Sequence, residues 1–543
     1  MSRNVSGNLS GLKPSQLDAL ERLGRRRVPP SRLVTVELAS ATAAVSREIG
    51  RQVGLLIDRG GHVAFTTVGD PSRVHLPDFG RLRAATGRFR GLRLVHTHLH
   101  DETLSRDDLV DLVRLRLDLV AAVCVSPQGQ PGNVHYAHLL PRARRGEIWH
   151  VEGPISIHQL DVDFLGLIHD LEAELARAQG ARPVTALEDR AILVHVTGKS
   201  GALDAESSVA ELARLADTAG VEVMGSVVQV RDRPDPRFVV GRGKLEEVVV
   251  LALSQDAELL IFDQELRPAQ ARAIADVTDL KVIDRTQLIL DIFAQRAHTR
   301  DGKLQVELAQ LRYRLPRLGK IDDGLSRLTG GIGGRGPGET KLEIGRRRAR
   351  ERIAQLNRDI DHLARQRRQK RGQRVRSGVP VVAIVGYTNA GKSTVLNALT
   401  NAGVLVEDRL FATLDPCSRR YRLPGGEHVI ITDTVGFIRD LPQDLIAAFR
   451  ATLEELGEAS LLIHLVDASD EAIDDRIRAV ENILVDLDLH SIPRKIVLNK
   501  IDLLEPERVA DLAHRFDARV ISAIDHASLD PLIETMQGIV TSC

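Results

Sequence analysis

The sequence has little cysteine, few aromatic residues and no net charge. Only three cysteines occur among the 543 residues, Cys124, Cys417 and Cys543, and they are far apart. An odd number at such spacing argues against a disulfide framework and fits a reducing compartment. Aromatic residues make up 3% of the chain, so its cores must consist mostly of aliphatic side chains. Lys plus Arg and Asp plus Glu both number 74, so any attraction to nucleic acid must be local.

Long apolar segments are also missing. The N-terminal residues MSRNVSGNLSGLKPSQ contain no apolar core of the kind that a signal peptide has. No uninterrupted apolar run approaches the ~20 residues that a membrane-spanning helix needs. We therefore expect a cytoplasmic protein without a membrane span, and we expect it to be a monomer. Its length exceeds what one core holds, so about three or four domains are expected.

Strand-like and helical patterns alternate along much of the chain, which is typical of an α/β fold with parallel βαβ units. We predict a nucleotide-binding domain, preceded by an α/β domain with a long helical hairpin, and an additional N-terminal α/β domain. The predicted boundaries are 1–140 for the N-terminal α/β domain, 141–188 for a connector with one helix, 189–302 for the second α/β domain, 303–376 for the basic hairpin with a glycine-rich tip, and 377–543 for the nucleotide-binding domain.

The hairpin is predicted from two apolar seams, one on each side of the glycine-rich segment GGIGGRGPGE. Leu304, Leu308 and Leu311 step by four and three, as do Ile353, Leu356 and Ile360, and such seams let two helices pack along each other. The second helix is dense in arginine. A solvated helix face and a surface that contacts phosphate backbones both fit this pattern. The arginines are Arg346, Arg347, Arg348, Arg350, Arg352, Arg358, Arg365, Arg367 and Arg368, followed by Lys370, Arg371, Arg374 and Arg376.

A phosphate-binding loop follows the short β-branched run at 381–385. The spacing Gly386, Gly391, Lys392, Ser393 lies between a strand and an apolar helical pattern, the context that this loop requires. Backbone N–H groups must close around the β-phosphate, so side chains are absent at the tight positions. Lys392 would place a cation on the β- and γ-phosphate oxygens, and the Ser393 hydroxyl would ligate Mg²⁺.

Four further elements follow in the order that a GTPase requires. Asp433, in DTVG, would hold Mg²⁺ through water, and the Gly436 N–H would meet the γ-phosphate. Thr413, in FATLDP, is the expected switch threonine, which ligates Mg²⁺ while the γ-phosphate is present. Asp502, in NKID, would accept from the guanine N1–H and amino group, so the motif selects GTP, and Ser522 begins the last base-contacting loop.

The complete set of expected site residues follows from these motifs. Lys392, Thr413 and Gly436 are the expected catalytic contributors, and Ser393 and Thr413 the direct metal ligands. The residues expected to contact nucleotide or its Mg²⁺ are Gly386, Tyr387, Thr388, Asn389, Ala390, Gly391, Lys392, Ser393, Phe411, Ala412, Thr413, Leu414, Asp415, Asp433, Thr434, Val435, Gly436, Asn499, Lys500, Ile501, Asp502, Ser522, Ala523 and Ile524.

One position departs from the pattern of Ras-like enzymes. Phe437 follows Gly436 where those enzymes have a glutamine that orients the attacking water. An apolar side chain cannot do this, so we expect slow intrinsic hydrolysis that a partner, a cation or another segment accelerates. Asn389 would either help to hold K⁺ or only cap the phosphate loop.

Several longer segments resemble HflX, a family of ribosome-associated GTPases, over roughly residues 190–540. They are VPVVAIVGYTNAGKST, FATLDP, DTVGFIRDLP, FVVGRGKLEE, GGIGGRGPGETKLE and the long run from VIDRTQLILDIF to LRYRLPRL. The resemblance implies binding to the large ribosomal subunit and its rRNA, and GTP-dependent separation of stalled or idle ribosomes. It also implies that the tip at 330–338 approaches the peptidyl-transferase region while the arginine-rich helix contacts rRNA.

Two features depart from this family's pattern. Many members carry a further small domain after the nucleotide-binding domain, whereas this sequence stops at Cys543. The first ~188 residues are the other departure, because the family does not usually have them.

These N-terminal residues contain a possible metal motif. His96 and His98, then Ser105 and Asp108, resemble the HxH and SxxD motif of JAMM-type metalloproteases, in which zinc is bound by two histidines and an aspartate. The gap between the two parts is one residue shorter than usual. Glu48 is the nearest candidate for the glutamate base that such an enzyme needs. We favour a non-catalytic relative of that fold, with residual metal binding and an active zinc protease as alternatives.

Three functions are consistent with the sequence. The first is a GTPase that separates ribosomes. The second is a GTP-gated adaptor whose N-terminal domain recognises another protein, and the third is a bifunctional protein with a metallohydrolase domain. Sedimentation with large subunits distinguishes the first two, and metal analysis tests the third.

Overall fold

The computed structural model divides the chain into two compact units and confirms the α/β fold class. The first unit contains residues 1–194, 224–260 and 270–282, and the second contains 195–223, 261–269 and 283–543. The structure describes residues 5–76, 89–144, 147–180, 189–199, 204–278, 280–317, 341–375, 379–400, 410–411, 417–439, 441, 445, 456–457 and 459–540.

A seven-stranded sheet organises the N-terminal part of the first unit. Its strand order is β1-β3-β2-β4-β5-β6-β7. The strands are β1 (Val5–Gly7), β2 (Val53–Asp58), β3 (Val63–Val68), β4 (Leu92–His98), β5 (Leu119–Val125), β6 (Pro131–Arg144) and β7 (Glu147–Ser156). The helices are α1 (Pro14–Gly24), α2 (Val36–Ile49), α3 (Arg106–Arg114) and α4 (Phe164–Gly180).

Both faces of this sheet are covered, because alternate strand residues enter two different cores. Leu55, on β2, packs in a core with residues of α1, α2 and α4, among them Phe164. Leu56, the next residue, points to the other face, where Leu112 of α3 lies. All seven residues of β5 are buried, as expected for a strand with helices on both sides.

The predicted connector at 141–188 is therefore wrong. Strand β6 continues to Arg144, β7 pairs antiparallel with β6, and α4 contributes Phe164, Ile168 and Leu171 to the first core. The charged residues Arg142, Arg144 and Glu147 suggested a linker, but they belong to two paired strands. The apolar face of α4 requires a partner, and the seven-stranded sheet supplies it.

A four-stranded sheet follows, in the order β11-β10-β8-β9, and the boundary between the two units crosses each of its strands. The strands are β8 (Arg190–Thr197), β9 (Glu222–Val230), β10 (Leu259–Phe262) and β11 (Lys281–Asp284). The helices of this segment are α5 (Ala205–Thr218), α6 (Arg242–Ser254), α7 (Pro268–Thr278) and α8 (Arg285–Arg296).

The two predicted hairpin helices are present in the second unit as α9 (Arg300–Arg314) and α10 (Lys341–Val375). They contact each other through Arg352, whose guanidinium donates to both carboxylate oxygens of Glu307 at 2.7 and 2.8 Å. Leu308 and Leu356, from the two apolar seams, are buried. The glycine-rich tip at 330–338 lies outside the described residues.

The nucleotide-binding domain has a sheet in the order β13-β14-β12-β15-β16-β17, in which only β13 is antiparallel to its neighbour. Helices lie on both faces, with Val395 of α11 in one core and Ile477 of α12 in the other. The elements are β12 (Val381–Gly386), α11 (Lys392–Thr400), β13 (Cys417–Arg422), β14 (His428–Asp433), β15 (Leu461–Asp467), α12 (Ile473–Asp486), β16 (Arg494–Asn499), α13 (Pro506–Arg515), β17 (Arg519–Val520) and α14 (Asp530–Val540).

Among the helices that the structure describes, none combines the length and the apolar composition needed to cross a bilayer.

The packing of α4 generates a stability prediction. Phe164 is fully buried, with the Arg93 guanidinium 4.2 Å from its ring centroid, so Phe164→Ala should destabilise the first unit by about 3–5 kcal/mol. Denaturant unfolding can be followed by the fluorescence of Trp149, the single tryptophan, which lies on β7. Leu165→Ala is the matched control, because Leu165 is 37% exposed. Equal effects of the two substitutions would contradict the placement of α4 in this core.

Candidate nucleotide-binding site

Four parallel strands of the second unit end at one edge of the sheet. These ends are Asp433 of β14, Gly386 of β12, Asp467 of β15 and Asn499 of β16. The register supports the alignment, since Ile384 is opposite Asp433 and Asp467 is opposite Asn499. Loops at the carboxyl ends of parallel strands form the usual ligand-binding crevice of α/β proteins. The phosphate loop and the DTVG and NKID motifs therefore meet at one edge.

The loop at 386–391 has the conformation that the glycine spacing predicts. Asn389 and Gly391 have positive φ angles of 63° and 91°. A Cβ atom at Gly391 would lie 2.3 Å from Asn499 Nδ2, and one at Gly386 would lie 2.2 Å from the Leu465 carbonyl oxygen. Both positions therefore require glycine.

Lys392 is enclosed by this loop at the start of α11. Its Nζ donates to the carbonyl oxygens of Gly386 at 3.1 Å and Tyr387 at 2.8 Å. Burial lowers the pKa of Lys392 to about 8, and the nearby Asp433 carboxylate opposes that shift. An anion within reach of Nζ would favour the protonated amine, because it would compensate the buried charge.

Two oxygen groups lie together beside the lysine. Ser393 Oγ donates to Asp433 Oδ2 at 2.7 Å, although the two residues are 40 positions apart. Hydroxyl and carboxylate oxygens are hard donors, which suits Mg²⁺ rather than a soft transition metal. The predicted metal-binding residues of the phosphate loop and of DTVG are thus in contact.

The DTVG segment is bonded to the phosphate loop through its backbone. Thr388 N donates to Phe437 O at 2.8 Å, and Phe437 N donates to Gly386 O at 3.1 Å. A Cβ at Gly436 would lie 2.9 Å from Thr388 Cγ2, so glycine is required there. Phe437 is 1% exposed, which agrees with the expectation that it does not orient water.

Thr434 and Val435 complete this segment and are buried. The Thr434 hydroxyl donates to Ile384 O at 2.8 Å. This side chain is therefore directed to strand β12 and not to a ligand.

The predicted base-contacting loops are held against the phosphate loop by Asn499. Its Nδ2 donates to Ala390 O at 2.8 Å, and its Oδ1 accepts from Ala523 N at 3.0 Å. Asp502 is exposed and accepts from Ser522 Oγ. The Asp502 carboxylate is therefore accessible to a ligand and is oriented by Ser522 of the last base-contacting loop.

Lys500, Ile501 and Ile524 are the remaining residues of these loops. Lys500 has a positive φ of 63°, and its Nζ lies 2.7 Å from Asp467 Oδ2. Ile501 begins a short 3-10 helix, Ile501–Leu503, while Ile524 is 75% exposed.

The side chains of two further residues expected at the nucleotide face other parts of the chain, and other expected contacts lie outside the described residues. The ring of Phe411 packs edge-on against Phe293 of α8, with 4.6 Å between ring centroids, so this side chain is part of a core. The side chain of Tyr387 is directed to Glu211 of α5. The expected switch residues Ala412, Thr413, Leu414 and Asp415 lie outside the described residues.

The contact at Glu211 belongs to a buried network that the sequence analysis missed. Glu211 accepts three hydrogen bonds, from Tyr387 Oη at 2.7 Å, Arg285 Nη2 at 2.8 Å and Arg476 Nη1 at 2.9 Å. Burial raises the pKa of Glu211, but Arg285 and Arg476 outweigh it and hold the pKa below the ordinary value of a glutamate. The carboxylate is therefore ionised at neutral pH.

The network continues to the segment that follows Phe437. Arg439 N donates to Tyr387 Oη at 2.8 Å, and Arg439 Nη2 donates to Ser208 Oγ at 2.9 Å. Arg285 also donates to Asp263 at 2.9 Å. Tyr387 and Arg439, which flank the two nucleotide motifs, are thus both bonded to α5.

The predicted metal motif of the N-terminal residues is brought together in the first unit. His96, His98 and Asp108 are buried, and their ligand atoms lie within 4.8 Å of one another. Glu48, expected as a catalytic base, is an exposed residue of α2 and is not a member of this cluster. That placement argues against the protease alternative.

Comparisons with known proteins match most of the second half of the chain. Three family models match, described as GTP-binding GTPase N-terminal at residues 206–294, GTP-binding GTPase Middle Region at 296–374 and 50S ribosome-binding GTPase at 381–500.

Similar curated proteins include two called GTPase HflX. The one from Caldanaerobacter subterraneus subsp. tengcongensis is 49% identical over 350 residues, which cover 64% of this chain and 80% of that protein. The one from Escherichia coli is 47% identical over 317 residues, 58% of this chain and 74% of that protein.

A solved structure that resembles the chain is a GTP-binding protein from Sulfolobus solfataricus in complex with GDP. It is 23% identical and covers 65% of this chain and 99% of its own, with a TM-score of 0.34.

One site is formed by the phosphate loop, the contact between Ser393 and Asp433, and the Asn499 bridge. The sequence identity to the GTPase HflX of Caldanaerobacter subterraneus extends over four fifths of that protein. This chain therefore belongs to the HflX family of GTPases, enzymes that bind and hydrolyse GTP.

Proposed function

We propose that this GTPase is a switch that binds the large ribosomal subunit in its GTP form and separates or rescues stalled or idle ribosomes. The match of residues 381–500 to the family described as 50S ribosome-binding GTPase carries this proposal. Two structural features support it: a bonded route from the nucleotide motifs to α5, and a strongly basic hairpin helix.

The phosphate loop residues take the following roles in the proposal. Lys392 contacts the β- and γ-phosphate oxygens, Ser393 and Thr413 ligate Mg²⁺ directly, and Asp433 holds it through water. The contact of 2.7 Å between Ser393 Oγ and Asp433 supports a shared cation at this place. When bound, Mg²⁺ would neutralise phosphate charge, and the Gly436 N–H would donate to the γ-phosphate.

Guanine is selected by Asp502. Its two carboxylate oxygens accept from N1–H and the exocyclic amine, a pair of donors that adenine lacks. The Ser522 hydroxyl donates to Oδ1 and so fixes the carboxylate in one orientation. Asn499 joins the base loop to the phosphate loop, which keeps the distance between the two ends of the nucleotide constant.

Hydrolysis requires a group that Phe437 does not supply. Its ring is buried, and its backbone is bonded to Gly386 and Thr388. We propose that the ribosome completes the active site, with Asn389 as a candidate ligand of an accelerating K⁺ ion.

The nucleotide state is passed on through Glu211. A ligand shifts a conformational equilibrium only by its differential affinity for the two states. The segment at 433–439 responds to the γ-phosphate in GTPases, and here its Arg439 is bonded to Ser208 and Tyr387. Movement of this segment must therefore move α5 or break those bonds.

The ribosomal surface is proposed to be α10. This helix has thirteen Lys and Arg residues against four Asp and Glu, a net charge of 13 − 4 = +9, although the whole chain is neutral. Arg347 and Arg348 are exposed, whereas Arg352 is paired with Glu307. Because rRNA is a polyanion, an excess of this size on one helix favours RNA over a neutral protein surface.

Guanine selection predicts the behaviour of Asp502→Asn. The amide offers one acceptor and one donor, so GTP affinity should fall by about 1–3 kcal/mol, roughly five- to 150-fold, and xanthine nucleotides should gain affinity. Nucleotide titration measures both, and Asp511→Asn, on the exposed side of α13, is the control. If Asp502→Asn binds GTP as tightly as the unaltered chain, the assignment of the base loop is wrong.

The ribosomal proposal is tested by sedimentation and turnover with purified large subunits at two salt concentrations. A non-hydrolysable GTP analogue should give more binding than GDP, and subunits should stimulate GTP turnover. Neutralising Arg346, Arg347 and Arg348 together should weaken binding and reduce the salt slope by up to about 3, one per lost phosphate contact.

The matched control neutralises three exposed arginines of β13, Arg419, Arg420 and Arg422, and should bind as the unaltered chain does. Equal binding of both nucleotide forms, without stimulation by subunits, would leave a GTPase that has no ribosomal role.

A further inference from the structure

Two histidines of the first unit share one face of β4. His96 and His98 are two residues apart on a strand, so their side chains point to the same side of the sheet. Their side chains are 0% and 2% exposed. Thr97, between them, points the other way and bonds Ser46 Oγ at 2.7 Å. The strand therefore presents two imidazoles to one buried place.

Asp108 is held at the same place by the start of α3. Its Oδ2 accepts from Ser105 N at 2.8 Å and from Ser105 Oγ at 2.7 Å, while Ser105 Oγ accepts from Asp108 N. This reciprocal cap fixes the carboxylate before any ligand binds. Residues from a strand and from the following helix are thus preorganised.

The distances fit a tetrahedral metal centre. His96 Nε2 lies 2.9 Å from His98 Nε2 and 3.2 Å from Asp108 Oδ1, and His98 Nε2 lies 3.4 Å from Asp108 Oδ2. Zinc bonds of ~2.0–2.1 Å at tetrahedral angles require ligand atoms roughly 3.3 Å apart. The two imidazoles thus face each other and the two oxygens of one carboxylate, and a divalent cation between them would replace these contacts with metal–ligand bonds.

The surroundings contain other buried polar groups that point to a bound ligand. The Nδ1 atom of His96 and both amide atoms of Gln52 are buried without a hydrogen-bond partner among the described residues. In the antiparallel pairing of β2 and β4, Gly54 lies opposite His96. Continued by two residues, this register sets Gln52 opposite His98. A solvent molecule or anion held by the metal would give the Gln52 amide a partner.

We propose that His96, His98 and Asp108 bind a zinc ion. Two imidazoles and one carboxylate suit Zn²⁺, and three protein ligands leave one position for an exogenous ligand. The site lies in the first unit and is independent of the GTPase motifs.

A neighbouring group provides an internal alternative. Asp101, Cys124 and His135 also bring ligand atoms within 4.8 Å, and Cys124 is opposite His98 in the pairing of β4 and β5. The proposed site predicts that Cys124→Ser retains zinc, whereas a thiolate site would lose it.

The experiment uses the full-length chain without an affinity tag. After equilibration with Zn²⁺ and removal of the excess, metal analysis should find about one zinc ion per chain. His96→Asn, His98→Asn and Asp108→Asn should each lose it, and Asp108→Asn retains an acceptor for the Ser105 cap. His62→Asn is the control, because His62 is an exposed histidine of the same unit. Unchanged GTP turnover shows that each variant is folded in the second unit.

Titration of the unaltered chain with Co²⁺ needs no variant and should give the visible absorption of a tetrahedral complex. Less than about one tenth of an equivalent of zinc would overturn the proposal, as would zinc retained by all three ligand variants. Loss of zinc from Cys124→Ser with retention in His96→Asn would place the metal in the neighbouring group and also overturn it.

Discussion

The second unit depends on one buried carboxylate. Glu211 receives hydrogen bonds from Arg285, Arg476 and the Tyr387 hydroxyl, and so joins α5 to α8, α12 and the phosphate loop. Two guanidinium groups and one carboxylate are costly to bury unless they are paired. Removing one partner of such a pair typically costs about 3–5 kcal/mol, because the remaining charge is left uncompensated. The network therefore strongly favours one arrangement of α5 against the phosphate loop.

That arrangement gives the phosphate loop two tasks. Its backbone encloses Lys392, while the side chain of its second residue, Tyr387, faces away from the nucleotide and holds Glu211 and Arg439. A small structural change at the γ-phosphate would therefore occur next to a packed interior that contains charged side chains. Packed interiors respond to such changes by moving between discrete arrangements rather than by deforming continuously. This is the physical basis on which we connect GTP binding to the position of α5.

The sequence predicts the parts of the site that are local in the chain. Gly391 and Lys392 belong to one strand, loop and helix, and the period of two on β4 is enough to place His96 and His98 together. Glu211 and Arg476 are 265 residues apart, and no periodicity or spacing relates them, so their contact required the structure. The same applies to α4, whose apolar face was evident but whose partner, the core of the seven-stranded sheet, was not.

Hydrogen exchange along α5 tests the central claim most directly. Exchange of the amides at 205–218 would be compared between the forms bound to GDP and to a non-hydrolysable GTP analogue. We predict that the exchange of α5 differs between the two nucleotide forms in the unaltered chain. The same difference is expected in the control Glu206→Gln, because Glu206 is an exposed residue of α5. In Glu211→Gln the difference in α5 should be lost, while exchange in the phosphate loop still responds to nucleotide. Identical exchange of α5 in both nucleotide forms of the unaltered chain would contradict the account.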